Sequence, residues 1–235
     1  VQSPTLFAQL DEYTERLLET GTPQSIANIV WACATLDVHS ERLFDELENY
    51  AQWIFDHGSI HQIVNIIWAC GVLGVQAPGL FEELDKHTQR MFQNATAQEI
   101  ANIVWACGRL GVRSTSVFDA LEEQVERLFI DRNVQSIARI VWACAAARIR
   151  SPRLLDLLEQ HAEELFDEGD ARSIATIVWS CAMQQARLPG VFEQLEERVE
   201  WLFNSGDAQD MANCLWACGK LNTKSPKLFR ELAMY

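Results

Sequence analysis

Apolar residues recur along the whole chain at the spacing of amphipathic helices, in pairs of segments that repeat every 37 residues. The second segment of each pair carries a tryptophan between branched and small residues, as in the string IVWAC. Six such tryptophans stand 37 residues apart: Trp31, Trp68, Trp105, Trp142, Trp179 and Trp216. Because a uniform period without insertions is typical of repeat architectures, the pattern predicts an all-α fold, an α-solenoid of helix-turn-helix repeats.

The period divides residues 1–235 into a single array of six complete repeats and one partial repeat. The predicted repeats cover about 4–40, 41–77, 78–114, 115–151, 152–188, 189–225 and, as the partial repeat, 226–235. Since neither helix of a repeat can bury its apolar face alone, the neighbouring repeat is expected to complete the core.

Each repeat is predicted to contain a helix A and a helix B. Helix A has apolar residues at i, i+4, i+8 and i+11, as in LFAQLDEYTERLLE, and helix B holds the tryptophan. A proline at a first-turn position predicts the start of helix A in five repeats, at Pro4, Pro78, Pro152, Pro189 and Pro226. The serines before three of these prolines are predicted N-caps: Ser3, Ser151 and Ser225.

A helical wheel separates helix B into a wide apolar arc and a polar arc. Seven residues before each tryptophan stand Gln24, His61, Gln98, Gln135, Arg172 and Gln209. Three residues before it stand Asn28, Asn65, Asn102, Arg139, Thr176 and Asn213. Further basic candidates at or after the end of helix B are Arg109, Arg113 and Lys220. Stacked repeats would turn these positions into parallel polar columns on one surface.

Two interpretations of the polar columns remain open on the residues alone. The columns could be a solvated face whose amides bond to the adjacent repeat. They could instead hold an extended ligand, since Asn and Gln pair with adenine and Arg pairs with guanine. The nearly constant columns, seven and three residues before the tryptophan, suit a contact that every repeat makes, such as a hydrogen bond to the next repeat or a contact with a ligand backbone. The columns six residues before and four residues after the tryptophan vary, which suits discrimination between ligands. The tryptophans border this arc and are predicted to be mainly structural.

The charge of the chain is unevenly distributed between the two helices. With 19 Lys+Arg and 33 Asp+Glu the net charge is −14, which by itself argues against nucleic-acid binding. Helix A segments hold 9 basic and 23 acidic residues, whereas helix B segments with their following eight residues hold 9 and 5. Acidic pairs such as Glu196-Glu197 are expected to be a solvated face. The charge therefore leaves the helix-B surface available to a polyanion.

The remaining chemistry points away from catalysis. Six of the seven cysteines share one repeated position (Cys33, Cys70, Cys107, Cys144, Cys181 and Cys218), which predicts buried thiols and a reducing compartment. No apolar run is long enough for a membrane span, and no phosphate loop, nucleophile elbow or metal motif is present. We therefore expect no enzyme activity, no cofactor and no metal. The chain begins with Val1 and is expected to be a fragment with no targeting segment of its own.

Strings such as SIANIVWACATLDV, preceded by an LFxxLxxxxxxLF helix at this period, resemble the heptatricopeptide repeats. They are also similar to octotricopeptide repeats and to the helical arrays of FAST kinase-like and RAP-domain proteins, although no RAP domain is visible. The resemblance implies organellar RNA binding in a mitochondrion or chloroplast, with a transcript or ribosomal RNA as partner.

Two functions compete at this point. The leading hypothesis is sequence-selective binding of single-stranded RNA in organellar RNA processing, stability or translation. The alternative is a non-catalytic protein–protein scaffold of the armadillo or tetratricopeptide kind, and protein partners are compatible with either.

Overall fold

The computed structural model describes residues 4–233, except for the side chains of residues 4–8 and 232. Within this range the secondary structure is helical, which confirms the predicted all-α repeat fold. The helices are α1 (Pro4–Thr20), α2 (Pro23–Thr35), α3 (Glu41–Asn49), α4 (Ala51–His57), α5 (Ile60–Leu73), α6 (Pro78–Asn94), α7 (Ala97–Leu110), α8 (Thr115–Ile130), α9 (Val134–Ala147), α10 (Pro152–Gln160), α11 (Ala162–Glu168), α12 (Ala171–Met183), α13 (Pro189–Glu197), α14 (Val199–Ser205), α15 (Ala208–Leu221) and α16 (Pro226–Leu232). Ser3 and the last two residues of the predicted partial repeat lie outside the described range.

The chain forms two compact units, an N-terminal unit of residues 1–121 and a C-terminal unit of residues 122–235. In the N-terminal unit the B helices α2, α5 and α7 pack on one another in succession, and α1, α3, α4 and α6 form a second layer. In the C-terminal unit α9, α12 and α15 form the helix-B layer, and α10, α11, α13, α14 and α16 form the helix-A layer. Helix B of each repeat therefore has helix B of the next as its neighbour within each unit.

A polar side chain begins every helix B. Thr22, Ser59, Thr96, Asn133, Asp170 and Asp207 are the N-caps, and each side chain accepts a hydrogen bond from the backbone N–H three residues later. These caps satisfy backbone donors that have no partner inside the helix. Gly74 and Gly111, both at φ 70°, end α5 and α7 in the left-handed region that glycine adopts without strain. The ends of helix B are thus set by local sequence.

The apolar arc of helix B forms the core, and the predicted burial of the cysteine column is confirmed. All seven cysteines are free and buried. Burial raises the pKa of Cys70, Cys107, Cys144 and Cys181 to about 12. These thiols are therefore uncharged packing groups.

The periodicity predicts one continuous helix A in each repeat, but in three repeats the structure shows an interrupted helix A. In the second, fifth and sixth repeats it ends and restarts at Tyr50, His161 and Arg198. These residues have φ between −100° and −108° and ψ between 3° and 23°, outside the helical region. Hydrogen bonds such as Ile54 N to Tyr50 O (2.9 Å) resume immediately, so each break is a kink at one residue.

In each complete repeat a carboxylate of helix A binds the start of the next helix A, and for Glu196 this corrects the predicted solvated face. Glu159 Oε1 accepts from Gly190 N over 2.7 Å, and Glu48 Oε2 accepts from Gly79 N over 3.0 Å. Four further acids at the same position accept from a serine hydroxyl: Asp11 from Ser40, Asp85 from Ser114, Glu122 from Ser151 and Glu196 from Ser225. We call these six residues the carboxylate column.

Of the predicted serine N-caps, Ser151 caps its helix with its side chain and Ser225 does not. The side chain of Ser151 caps α10 by accepting from Leu154 N. Ser225 precedes α16, but its side chain makes no cap hydrogen bond and donates to Glu196 instead. The neighbouring repeat thus supplies Glu196, which also accepts from Lys227 N over 2.8 Å at the start of α16.

Candidate functional site

The polar columns of helix B lie at the surface of the helix-B layer. All fifteen candidate residues are exposed or partly exposed, and their backbones belong to α2, α5, α7, α9, α12, α15 or, for Arg113, to the link after α7. The apolar arc of the same helices is buried, including Ile103 and Val104 of α7. The helical period therefore presents the columns away from the core.

In the N-terminal unit the amides bond to one another. Gln24 Nε2 donates to Asn28 Oδ1 over 2.9 Å within α2. Gln62 Nε2, on α5, donates to Gln24 Oε1 over 2.8 Å and links two repeats. His61 Nδ1 stands 3.5 Å from a carboxylate oxygen of Glu99 on α7. The hydrogen bond between Gln62 and Gln24 is the inter-repeat contact expected of a structural column.

The other candidates of this unit are spread over α5 and α7. Asn65 and Asn102 are partly exposed, Gln98 and Arg109 are exposed on α7, and Arg113 is exposed just beyond it. Arg109 and Arg113 are the basic candidates here.

In the C-terminal unit the candidates line two adjoining clefts. The first cleft, about 370 Å³ between α9 and α12, is lined by Gln135, Ala138, Arg139, Asp170, Arg172, Ser173 and Thr176. The second cleft, about 390 Å³, is lined by Trp142, Arg172, Thr176, Trp179, Asp207, Gln209, Asp210 and Asn213. Six sequence-predicted residues are thereby brought together, and Arg172 and Thr176 line both clefts.

The acidic N-caps Asp170 and Asp207 line the clefts and reduce their positive charge. Gln135 Nε2 donates to Asp170 Oδ2 over 3.2 Å, and Ser173 N donates to Asp170 Oδ1 over 2.8 Å. Hydrogen bonding by Ser173, aided by Gln135 and the charge of Arg172, holds the pKa of Asp170 below its ordinary value. Asp170 is therefore a carboxylate at neutral pH, close to the two guanidinium groups.

The tryptophans are more accessible than the prediction of a mainly structural role implies. Trp31 is 47% exposed and Trp216 is 43% exposed, while the other four are partly exposed. Trp142 and Trp179 line the second cleft. The ring centroids of Trp179 and Trp216 are 6.1 Å apart with the planes tilted by 34°, and Lys220 Nζ lies 5.9 Å from the Trp216 ring. Aromatic surface thus adjoins the polar columns.

Some features of the site could not be read from the columns. The caps Asp170 and Asp207 enter the clefts because each begins a helix B beside the polar arc. Asp170 and Asp207 follow Asn133 at successive intervals of 37 residues, a spacing that is visible in the sequence and could have identified them. Arg187 and Lys224, which stand eight residues after Trp179 and Trp216 and so belong to the helix-B segments counted above, instead line a separate pocket with Glu193, Glu196 and Glu197. That pocket has no excess of positive charge.

No group of three metal-ligating side chains occurs among the described residues, and no helix in the described range could cross a membrane.

Stacked helix pairs with exposed polar columns define a helical-repeat protein of the solenoid class. Residues 1–115 are similar to the family described as RNA-editing substrate-binding complex 6 protein. No curated protein matches the chain. The match covers slightly less than half of the chain, and the resemblance to heptatricopeptide and octotricopeptide repeats stays a prediction.

Proposed function

We propose that this chain binds single-stranded RNA along the helix-B layer of its C-terminal unit, without catalysing a reaction. The observation that carries the proposal is the shared position of Arg172 between two consecutive clefts, each lined by amide or hydroxyl side chains. Guanidinium groups bind phosphates through paired hydrogen bonds, and neighbouring clefts suit neighbouring nucleotides of an extended strand.

The net charge of −14 is compatible with this function because of where the acids lie. Six helix-A acids, the carboxylate column, are engaged at the starts of helices in the other layer. The guanidinium groups of Arg139 and Arg172 lie on the helix-B surface. A strand on that surface would be separated from much of the acidic charge by the thickness of a helix layer.

Sequence selectivity and cellular setting belong to the same proposal. The side chains that differ most between repeats, such as Thr35, Arg109 and Lys220 at the position four residues after the tryptophan, offer different hydrogen-bonding groups to bases. The printed description of the matched family, an RNA-editing substrate-binding complex, supports an RNA-containing assembly with protein partners. We place that assembly in an organelle, as the repeat resemblance implies.

Charge reversal at Arg172 tests the proposal. A fluorescently labelled single-stranded RNA would be titrated with the 235-residue chain and with Arg172→Glu and Arg139→Glu variants. We expect each variant to lose at least fivefold in affinity for the RNA, because the new carboxylate repels the phosphate that the arginine would bind. Arg90→Glu makes the same charge change at an exposed position of helix A and is the matched control. Equal losses in all three variants would refute a binding surface on the helix-B layer.

The scaffold alternative is favoured by one observation in the N-terminal unit. A groove of about 400 Å³ on α1 and α2 is lined mainly by apolar side chains, including Tyr13, Ile29 and Leu36. In the next repeat the residues equivalent to Ile29 and Leu36, which are Ile66 and Leu73, are buried. A helix of a protein partner would bury the same atoms. Such binding should depend weakly on salt and should be indifferent to Arg172→Glu.

A further inference from the structure

The second cleft combines an aromatic wall with charged and amide groups. Its volume of about 390 Å³ falls within the range of small-molecule sites, roughly 300–1,000 Å³. Trp142 and Trp179 contribute aromatic surface and Arg172 contributes a guanidinium group. These groups match the parts of a nucleotide, because bases stack on aromatic rings and phosphates bind guanidinium groups.

Trp179 is both accessible to the cleft and held in place. Its ring lies 6.1 Å from that of Trp216, centroid to centroid, and the residue also lines the cleft. Its neighbours in sequence, Val178 and Ser180, are buried. A ring that is already packed loses little freedom when a ligand stacks on it, so more of the stacking energy goes into binding.

An amide pair in the cleft offers one donor and one acceptor. Gln209 Nε2 donates to Asn213 Oδ1 over 3.0 Å. This bond leaves Gln209 Oε1 to accept and Asn213 Nδ2 to donate, and exchanging the two amides' orientations would still leave one group of each kind. The polar edge of a base carries the complementary groups.

The two carboxylates of the cleft are engaged at the start of α15. Asp207 Oδ1 accepts from Gln209 N over 2.8 Å and from Asp210 N over 3.0 Å, and Asp210 Oδ2 accepts from Asp207 N over 3.0 Å. Their charge disfavours a phosphate at that end of the cleft. The phosphate is therefore expected beside Arg172, which leaves the end near Gln209 and Asn213 for the base.

From this arrangement we infer that the second cleft is a nucleotide-binding site, in which a single-stranded nucleobase stacks on Trp179 while its phosphate contacts Arg172. The inference rests on the proposed function and adds to it a stacking site. It assigns Trp179 a binding role in addition to its packing role. Base stacking tolerates any sequence, so stacking on Trp179 supplies affinity, while the amides of Gln209 and Asn213 supply a preference among bases.

The experiment compares an intact RNA with a chain that lacks bases. A labelled single-stranded RNA and an abasic ribose-phosphate strand of equal length would be titrated with wild-type, Trp179→Leu and Trp179→Phe proteins. We expect wild-type protein to prefer the intact RNA. Trp179→Leu should lose about 5- to 100-fold in affinity for RNA, with less than a twofold change for the abasic strand. Trp179→Phe retains an aromatic ring and should keep most of the affinity.

Trp105→Leu is the matched control, because Trp105 occupies the same repeat position and is also partly exposed. Its own repeat holds Gln98 and Asn102 where the second cleft has Arg172 and Thr176. We expect this variant to bind RNA within twofold of wild type, and circular dichroism would compare the helix content of all variants. The inference is overturned if Trp105→Leu and Trp179→Leu lose equally. It is also overturned if wild type binds both strands alike, in which case salt-sensitive binding through Arg172 would survive. Failure of wild type to bind either strand would overturn the proposed function as well.

Discussion

Glu159 Oε1 accepts a hydrogen bond from the backbone N–H of Gly190 over 2.7 Å, across the junction between two repeats. Glu159 Oε2 also accepts a hydrogen bond from Val191 N over 3.4 Å. The carboxylate therefore binds the first turn of α13, where unpaired backbone donors favour negative charge. The acidity of helix A has a structural use at this position in every complete repeat.

Replacing Glu159 by glutamine should destabilise the protein. The charge is lost while one acceptor remains, so we expect a fall of about 1–2 kcal/mol in the free energy of unfolding, as for hydrogen bonds to charged groups. Urea unfolding followed by circular dichroism measures it. Asp156→Asn on α10 is the matched control, since Asp156 is exposed, and it should change stability by less than about 0.5 kcal/mol. Equal effects at the two positions would refute a special role for the carboxylate column.

Two helical glycines should respond oppositely to alanine. A Cβ at Gly219 would meet nothing within 4 Å, so Gly219→Ala should stabilise α15 by about 0.5–1 kcal/mol through helix propensity. A Cβ at Gly71 would lie 3.0 Å from Ala106 Cα, Ala106 Cβ and Trp105 Cζ3. Gly71→Ala should instead destabilise the protein, because α5 and α7 must move apart to accommodate the new methyl group. Thermal unfolding of both variants checks the prediction, and equal stabilisation would contradict the close helix-B packing.

The buried cysteines predict a loss of stability in alkali. Burial raises the pKa of Cys181 from 9.0 to about 12, so above pH 9 the unfolded chain releases a proton that the folded chain retains. The neutral thiol makes its full contribution to the free energy of unfolding below about pH 9, and this contribution is lost as the pH rises towards 12. Urea unfolding at pH 7 to 10.5 measures the decline, which should be shallower in Cys181→Ala. Identical pH dependence in the variant and the wild type would refute the prediction.

Removing the charge of Asp170 should strengthen RNA binding without removing the helix cap. Asparagine is also a good N-cap, so Asp170→Asn should keep stability within about 1 kcal/mol of wild type. The loss of a carboxylate from the first cleft should raise RNA affinity two- to fivefold at low salt. Fluorescence anisotropy measures this change, and an unchanged or weaker affinity would argue against a phosphate beside Arg139 and Arg172.

Periodicity predicted the helical repeat, the buried cysteine column and the helix starts at proline, because each depends on one repeat and its copies. It did not predict the kinks at Tyr50, His161 and Arg198, where a single residue leaves the helical region within an otherwise suitable pattern. The carboxylate column was also missed, although Asp11, Glu48, Asp85, Glu122, Glu159 and Glu196 stand 37 residues apart. Their partners lie on the next repeat, and the charge alone does not distinguish them from exposed acids.

The candidate site was predicted in part for the same reason. A helical wheel places Arg139, Arg172, Thr176, Gln209 and Asn213 on one surface, and the structure gathers them around the two clefts. The wheel does not show how a side chain from one helix meets the cap of the next. The contact of Gln135 with Asp170 and the pairing of Trp179 with Trp216 depend on packing between repeats.

The salt dependence of RNA affinity tests the central claim most directly. Affinities of wild-type and Arg172→Glu protein for one labelled single-stranded RNA would be measured from 50 to 300 mM KCl. Because each neutralised phosphate of a single strand contributes about 0.7 to the slope of log affinity against log salt, wild type should show a slope steeper than about −1.4. Arg172→Glu should be shallower by about 0.7, and Arg90→Glu should match wild type. A flat wild-type slope, or slopes that coincide for wild type and Arg172→Glu, would contradict RNA binding by the helix-B layer.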